Sequence, residues 1–200
     1  MKLTKQMSLG SITLNIHFLS VFSVMALIFS ESSIYSLLVI LCAIIHEAGH
    51  IAAIKLTNAG ISEISLLPFG AEIKMKNNVG YIEEFVIALS GPFINIVSGA
   101  LFYIIYRIYP CPQMLFCIIS SLFLALVNLI PVKGFDGGRC VRCTALYFLQ
   151  YEKALKLINA SELLSLILLT IFSLATIKLS GFNISLCAIC IYLFVSVYSK

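Results

Sequence analysis

Apolar residues run in long blocks along this chain, and polar residues gather in short clusters between them. Six blocks reach or approach the roughly 18 to 20 residues that a helix needs to cross about 30 Å of hydrocarbon at 1.5 Å per residue. They are Ile12–Ser30, Ile34–Leu56, Phe85–Tyr109, Gln113–Pro131, Leu163–Ile177 and Phe182–Val197, the fifth being the shortest. The pattern predicts an all-α polytopic membrane protein of about six transmembrane helices. One stretch follows another rule. After Pro68-Phe69-Gly70, which reads as a turn, Ala71, Ile73 and Met75 alternate with Glu72, Lys74 and Lys76, the period-two signature of a strand. A short cytoplasmic-side β-hairpin is therefore expected between Thr57 and Glu84. Its open edge could accept a peptide strand, or it could be a structural flap without a partner.

Composition strengthens this picture. Sixty per cent of the 200 residues are hydrophobic and 11% are charged, against about a quarter charged in soluble domains. No repeat, low-complexity segment or long hydrophilic block interrupts the chain, so 1–200 reads as a single membrane domain with no separate soluble domain. The net charge of +4 is explained by topology. With a cytoplasmic N-terminus and six alternating helices, every lysine and arginine except Arg107 and Lys178 falls on the cytoplasmic side, as the positive-inside bias requires. Both termini are then cytoplasmic. No basic and aromatic pattern suggests nucleic acid as a partner. The start "MKLTKQ" before an apolar run could be a secretory signal, but Ile12–Ser30 exceeds the usual apolar core of about 7 to 15 residues and no clear cleavage site follows.

Seven cysteines form no disulfide framework, since several lie in apolar spans where a thiol packs as a small hydrophobe. Cys187 and Cys190 read as packing. Cys140 and Cys143, in a basic segment with Arg139, Arg142, Lys153 and Lys156, are a second Cys-x-x-Cys pair whose role the sequence leaves open.

Two features carry chemistry. The first is "HEAGH", His46 to His50, inside an apolar span. Histidines four residues apart share a helix face and can place two imidazole nitrogens on one metal ion, with Glu47 between them able to contact a metal-bound water without ligating. Zinc so held lowers the pKa of its water to about 7, and a carboxylate can take the proton during attack on a peptide carbonyl. An ionisable residue near the centre of a lipid-embedded helix costs about 2.5 to 3.5 kcal/mol on insertion scales, which favours a functional reason for its presence. The plainer account is two histidines hydrogen-bonded between helices, with Glu47 paired to one.

The second feature is "NLIPVKGFDGGRC". Pro131, Gly134, Gly137 and Gly138 read as helix breakers, and Asn128 and Asp136 put polar groups beside an apolar span, so this segment should line a cavity. A catalytic zinc needs a third protein ligand, and Asp136 is the best candidate. Glu63, Glu72, Glu83 and Glu84 read as marking solvated faces or helix starts. His17, in "LNIHFLS", could gate the site or make an outer contact, although a lone helix histidine is more often structural.

"HEAGH", "GPFIN" and "NLIPVKGFDGG" together resemble the site-2 protease family of intramembrane zinc metalloproteases, over Leu41 to Gly138, about half the chain. The resemblance implies one Zn2+ held by His46, His50 and Asp136, with Glu47 as general base. It also implies Asn128 and Asn95 as polar groups of the active-site cavity, and Gly91 with Pro92 as a close-packing break beside it. The size and the cytoplasm-facing motif look most similar to the bacterial stage IV sporulation protein FB branch, whose members cleave a sigma-factor precursor at the membrane. No inserted PDZ domain and no nucleotide-sensing C-terminal domain are evident. The implied setting is a bacterial cell membrane, and the implied partners are the lipid bilayer, a membrane-associated protein substrate such as a transcription-factor precursor, and a regulatory membrane protein. The rival class is a non-enzymatic zinc transporter or scaffold using the same residues. Glu47 discriminates, because hydrolysis needs a non-ligating carboxylate between the ligands and transport does not.

Overall fold

The structure, a computed structural model, describes residues 4–9, 12–17, 33–67 and 70–180. The chain runs β1 (Thr4–Leu9), β2 (Ile12–His17), α1 (Ser33–Leu56), β3 (Ile61–Leu67), β4 (Gly70–Met75), α2 (Tyr81–Ile108), α3 (Pro112–Asn128), α4 (Asp136–Phe148) and α5 (Tyr151–Ser180). It divides into two compact units, Met1–Gly80 with Ser90–Ala125, and Tyr81–Leu89 with Leu126–Lys200.

Among the described residues, three helices are long and apolar enough to cross a membrane, at Ile34–Leu56, Tyr81–Ile108 and Tyr151–Ala175. The fourth predicted span is the shorter α3, 17 residues. The second and third spans thus match α1 and α2, and the fifth lies inside α5. The sixth, Phe182–Val197, falls outside the described residues.

The first predicted span is corrected at its start. Ile12–His17 is strand β2, antiparallel to β1 and parallel to β3, and residues 18–30 lie outside the described residues. Within "ITLNIH" Ile12, Leu14 and Ile16 alternate with Thr13, Asn15 and His17, a strand period concealed by the apolar run that follows. Ile and Thr, branched at Cβ, also favour extended backbone. His17 therefore stands on a strand and not on a helix turn.

The expected hairpin is accordingly half of a larger sheet, four strands in the order β1-β2-β3-β4. The parallel β2–β3 pair has α1 between its strands in sequence, since parallel neighbours need a long crossover. Glu63 pairs with Lys74 across β3 and β4 with a 3.1 Å ion pair. The expected turn residues 68 and 69 lie outside the described residues. At the other end of β3, Asn58 (φ 53°) and Gly60 (φ 65°) take left-handed backbone to turn the chain out of α1.

Helix α1 has two distinct faces. Ile34, Leu37, Leu41 and Ile44 are exposed, while Cys42, His46, Gly49, His50 and Ala53, spaced by three or four residues, are buried. The buried face meets α3, where Ser121 donates a 3.4 Å hydrogen bond to Cys42 Sγ. Pro112 opens α3 at the position where a missing N–H costs nothing.

In the second unit the segment 129–135 is irregular and is anchored at Val132. Val132, fully buried, packs with Leu166 of α5, flanked by Ile130, Phe135 and Leu169. The expectation that Gly134, Gly137 and Gly138 all break helix is met only at Gly134 (φ 100°). Gly137 and Gly138 lie in the first turn of α4. There a Cβ would strike the carbonyls of Leu129 and Val132, so these glycines are required by close backbone approach.

Candidate metal centre

His46 and His50 are buried one turn apart on α1. Their Nε2 atoms stand 3.2 Å from each other, and the rings meet edge to face with centroids 4.8 Å apart. Their Nδ1 atoms turn the other way, toward α2. Nδ1 of His46 is 3.1 Å from Asn95 Nδ2, and Nδ1 of His50 is 3.4 Å from Ser90 Oγ. The two Nε2 atoms are thus the nitrogens offered to a common point, as expected of paired imidazole ligands whose other nitrogens are held by the protein.

Gly91 makes this approach feasible. A Cβ there would collide with Nε2 of His50 and lie 2.8 Å from Cε1 of His46. Pro92, also buried, lies inside α2. The expected break at Gly91-Pro92 is therefore a flush contact within a continuous helix. Gly49, the fourth residue of "HEAGH", lies equally close to α2, since its Cβ would stand 2.7 Å from both Ser90 O and Ile94 Cγ2. Small residues at such positions let helices approach closely within a membrane.

Asp136 is buried and opens α4. Its carboxylate sits at a helix N-terminus, where the helix dipole favours negative charge. His46 and His50, in the first unit, offer two buried imidazole nitrogens, and Asp136, in the second, offers a buried carboxylate. Two imidazoles and a carboxylate suit zinc, and the cradle that only Gly91 leaves open fits that use. Glu47 lies between the histidines in sequence, with its Oε2 buried.

The remaining candidates are placed as follows. Asn95 is fully buried on α2, and Asn128 is half-buried at the end of α3. Glu63 accepts from Lys74 and from Ser65, and Glu83 and Glu84 occupy the first turn of α2, so each of these carboxylates has a local role. Two residues were not singled out by the sequence reading, Ser90 and Gly49. A serine in an apolar helix carries no distinctive signal, but its one-residue spacing from Gly91 was available.

Cys140 and Cys143 are buried on α4. Burial pushes the Cys143 thiol up to about 12, helped by the nearby charge of Glu84 and a hydrogen bond to it, and opposed by Arg139. Burial likewise raises Cys140 to about 11, with Asp136 adding to the effect. Thiols held this firmly protonated are poor nucleophiles.

Known proteins share part of this sequence and its fold. Residues 34–112 match peptidase family M50, which supports the resemblance to site-2 proteases seen in the sequence. Among individual proteins, the chain is 28% identical over 156 residues to a zinc metalloprotease of Methanocaldococcus jannaschii, covering 75% of this chain and 45% of that one. It is 28% identical over 168 residues to stage IV sporulation protein FB of Bacillus subtilis, covering 82% and 57% respectively. The chain thus spans about half the length of these relatives. The solved site-2 protease from Methanocaldococcus jannaschii superposes with a TM-score of 0.72 at 20% identity, covering 98% of this chain and 94% of that one, so the fold is shared.

Proposed function

We propose that this chain is an intramembrane zinc metalloprotease, acting as one domain, which hydrolyses a peptide bond in or near the membrane segment of a membrane-associated protein. The observation that carries the reading is the buried pair His46 and His50, whose Nε2 atoms converge to 3.2 Å, with Glu47 next to the first of them in the chain and the buried Asp136 as the third ligand. In this reading those three hold one Zn2+, which when bound supplies Lewis acidity to a water molecule and to the scissile carbonyl. Glu47 accepts the proton of the attacking water and later passes it to the leaving amine. Asn128 and Asn95 supply the polar lining that a water-accessible cavity at this depth requires.

The position of the site along α1 bears on the substrate. His46 and His50 stand ten and six residues before Leu56, the end of α1, so they lie about 15 and 9 Å along the axis from that end. A substrate helix hides its carbonyls in its own hydrogen bonds, so the segment cleaved must reach this depth unwound or extended. Strand β4, at an edge of the sheet, offers unpaired backbone groups to which such a segment could add as a strand. The substrate class we assign is a membrane-tethered precursor, a transcription factor among the possibilities, in a bacterial cell membrane.

Glu47→Gln tests the mechanism. The variant should keep one zinc per chain and lose cleavage, and proteomics of cells carrying it should show membrane-tethered precursors accumulating. Full proteolysis by the variant would end the proposal. Asp136→Asn should release zinc more readily, and unchanged metal content in purified protein would remove Asp136 from the ligand set.

A further inference from the structure

An imidazole can ligate a metal only through a nitrogen that carries no proton, so the neutral ring must keep its proton on the other nitrogen and give it to an acceptor. At His46 and His50 the Nε2 atoms converge and the Nδ1 atoms face α2. Ligation through Nε2 therefore requires Nδ1–H on both rings and an acceptor on α2 for each. For His50 that acceptor is the Ser90 hydroxyl. For His46 the neighbour is the amide of Asn95, fully buried. As placed, Nδ2 of Asn95 lies 3.1 Å from Nδ1, and the oxygen Oδ1 is buried with no hydrogen-bond partner among the described residues. An amide has nearly the same shape when turned over, and which end is oxygen is decided by the hydrogen bonds it must make. An N–H facing Nδ1–H would repel it, so the proton that ligation places on Nδ1 demands the oxygen there.

We infer that Asn95 is the positioning residue for His46, accepting its Nδ1–H through Oδ1 and so fixing the tautomer that presents Nε2 to the metal, with Ser90 serving His50 in the same way. The inference rests on the zinc site proposed above and adds to it the group that orients one ligand. Outer partners of this kind alter metal affinity by about 10- to 100-fold when removed.

The test uses the purified full-length chain as wild type, Asn95→Asp and Asn95→Leu, loaded with Zn2+ and titrated with a chelator, with zinc per chain read by mass spectrometry. Co2+ loading in parallel reports ligand geometry through its visible spectrum. Asn95→Asp keeps an acceptor and cannot donate, so it should retain zinc at or above the wild-type level with a wild-type Co2+ spectrum. Asn95→Leu, of similar size, should lose zinc at a chelator concentration at least about tenfold lower. Retention by Asn95→Leu equal to wild type overturns the inference. Loss by Asn95→Asp also overturns it, since the amide would then act as a donor, and this variant decides the question if Asn95→Leu does not fold. If wild type itself takes up no zinc, the metal site falls and the inference with it, whereas wild-type uptake with unaffected variants removes only the role of Asn95.

Discussion

Two glycines four decades apart in sequence separate the needs of the site from the needs of the fold. At Gly91 the atoms that a Cβ would meet belong to the imidazoles of His50 and His46, and rings at the ends of side chains can turn away. Gly91→Ala should therefore leave the fold standing, with a cost of about 1 to 3 kcal/mol, while zinc retention collapses. At Gly49 the atoms met are Ile94 Cγ2 and the backbone carbonyl of Ser90, and a helix backbone has nowhere to go. Gly49→Ala should lower the unfolding temperature in detergent more than Gly91→Ala does. Equal metal content in Gly91→Ala and wild type would contradict this division. The candidate residues stood out because His46, Glu47 and His50 are ionisable groups in an apolar run, a cost that needs a reason. Ser90 was illegible for the opposite reason. Serine is tolerated in any apolar helix, and only the ring that it faces gives it meaning.

At the scale of elements, local period and local chemistry competed, and the longer signal masked the shorter. "ITLNIH" has a strand's alternation, but it opens a run of nineteen residues that reads as one span, Ile12–Ser30, and the pairing partner that stabilises it, β3, lies far along the chain. Helix α4 shows the same competition at its start. Its two glycines argued against helix by propensity, yet they are what allows α4 to begin against the carbonyls of the preceding segment. The Cys140 and Cys143 pair on this helix, open as read from sequence, is buried, with Cys143 beside Glu84 and Cys140 near Asp136. Because the thiolate is the reactive form, thiols raised to about 11 and about 12 should stay unmodified by iodoacetamide at pH 8 in the folded protein. Among the cysteines of the described residues, mass spectrometry should find Cys111, half-buried, modified first. The sign follows from the raised values. An unfolded thiol ionises above about 8.5 while the folded ones hold their protons, so this pair should destabilise the fold as pH rises from about 9 toward 12. Rapid alkylation of Cys143 at pH 8 would show that α4 opens.

For the whole molecule, membrane topology turns on where each helix ends. Residues Lys55 and Arg107 lie at the last turns of α1 and α2, two helices long enough to span. The segment joining them, 57–80, contains β3 and β4 and no apolar helix, so α1 must end and α2 must begin on the same side. Helix α2 then carries Arg107 across to the other. The basic residues agree with this, since Lys55, Lys74 and Lys76 fall toward the joined ends and Arg107 stands alone at the far one, and the positive-inside bias then predicts a cytoplasmic sheet-bearing side. This argument rests on α1, α2 and the segment between them, so the strand at Ile12–His17 leaves it intact. Lys55→Cys and Arg107→Cys provide the measurement. In sealed right-side-out vesicles a membrane-impermeant maleimide should label Arg107→Cys above the wild-type background and leave Lys55→Cys unlabelled, and inverted vesicles should reverse the result. Labelling of both variants from one side would mean that α2 does not cross, and the assigned topology would fall.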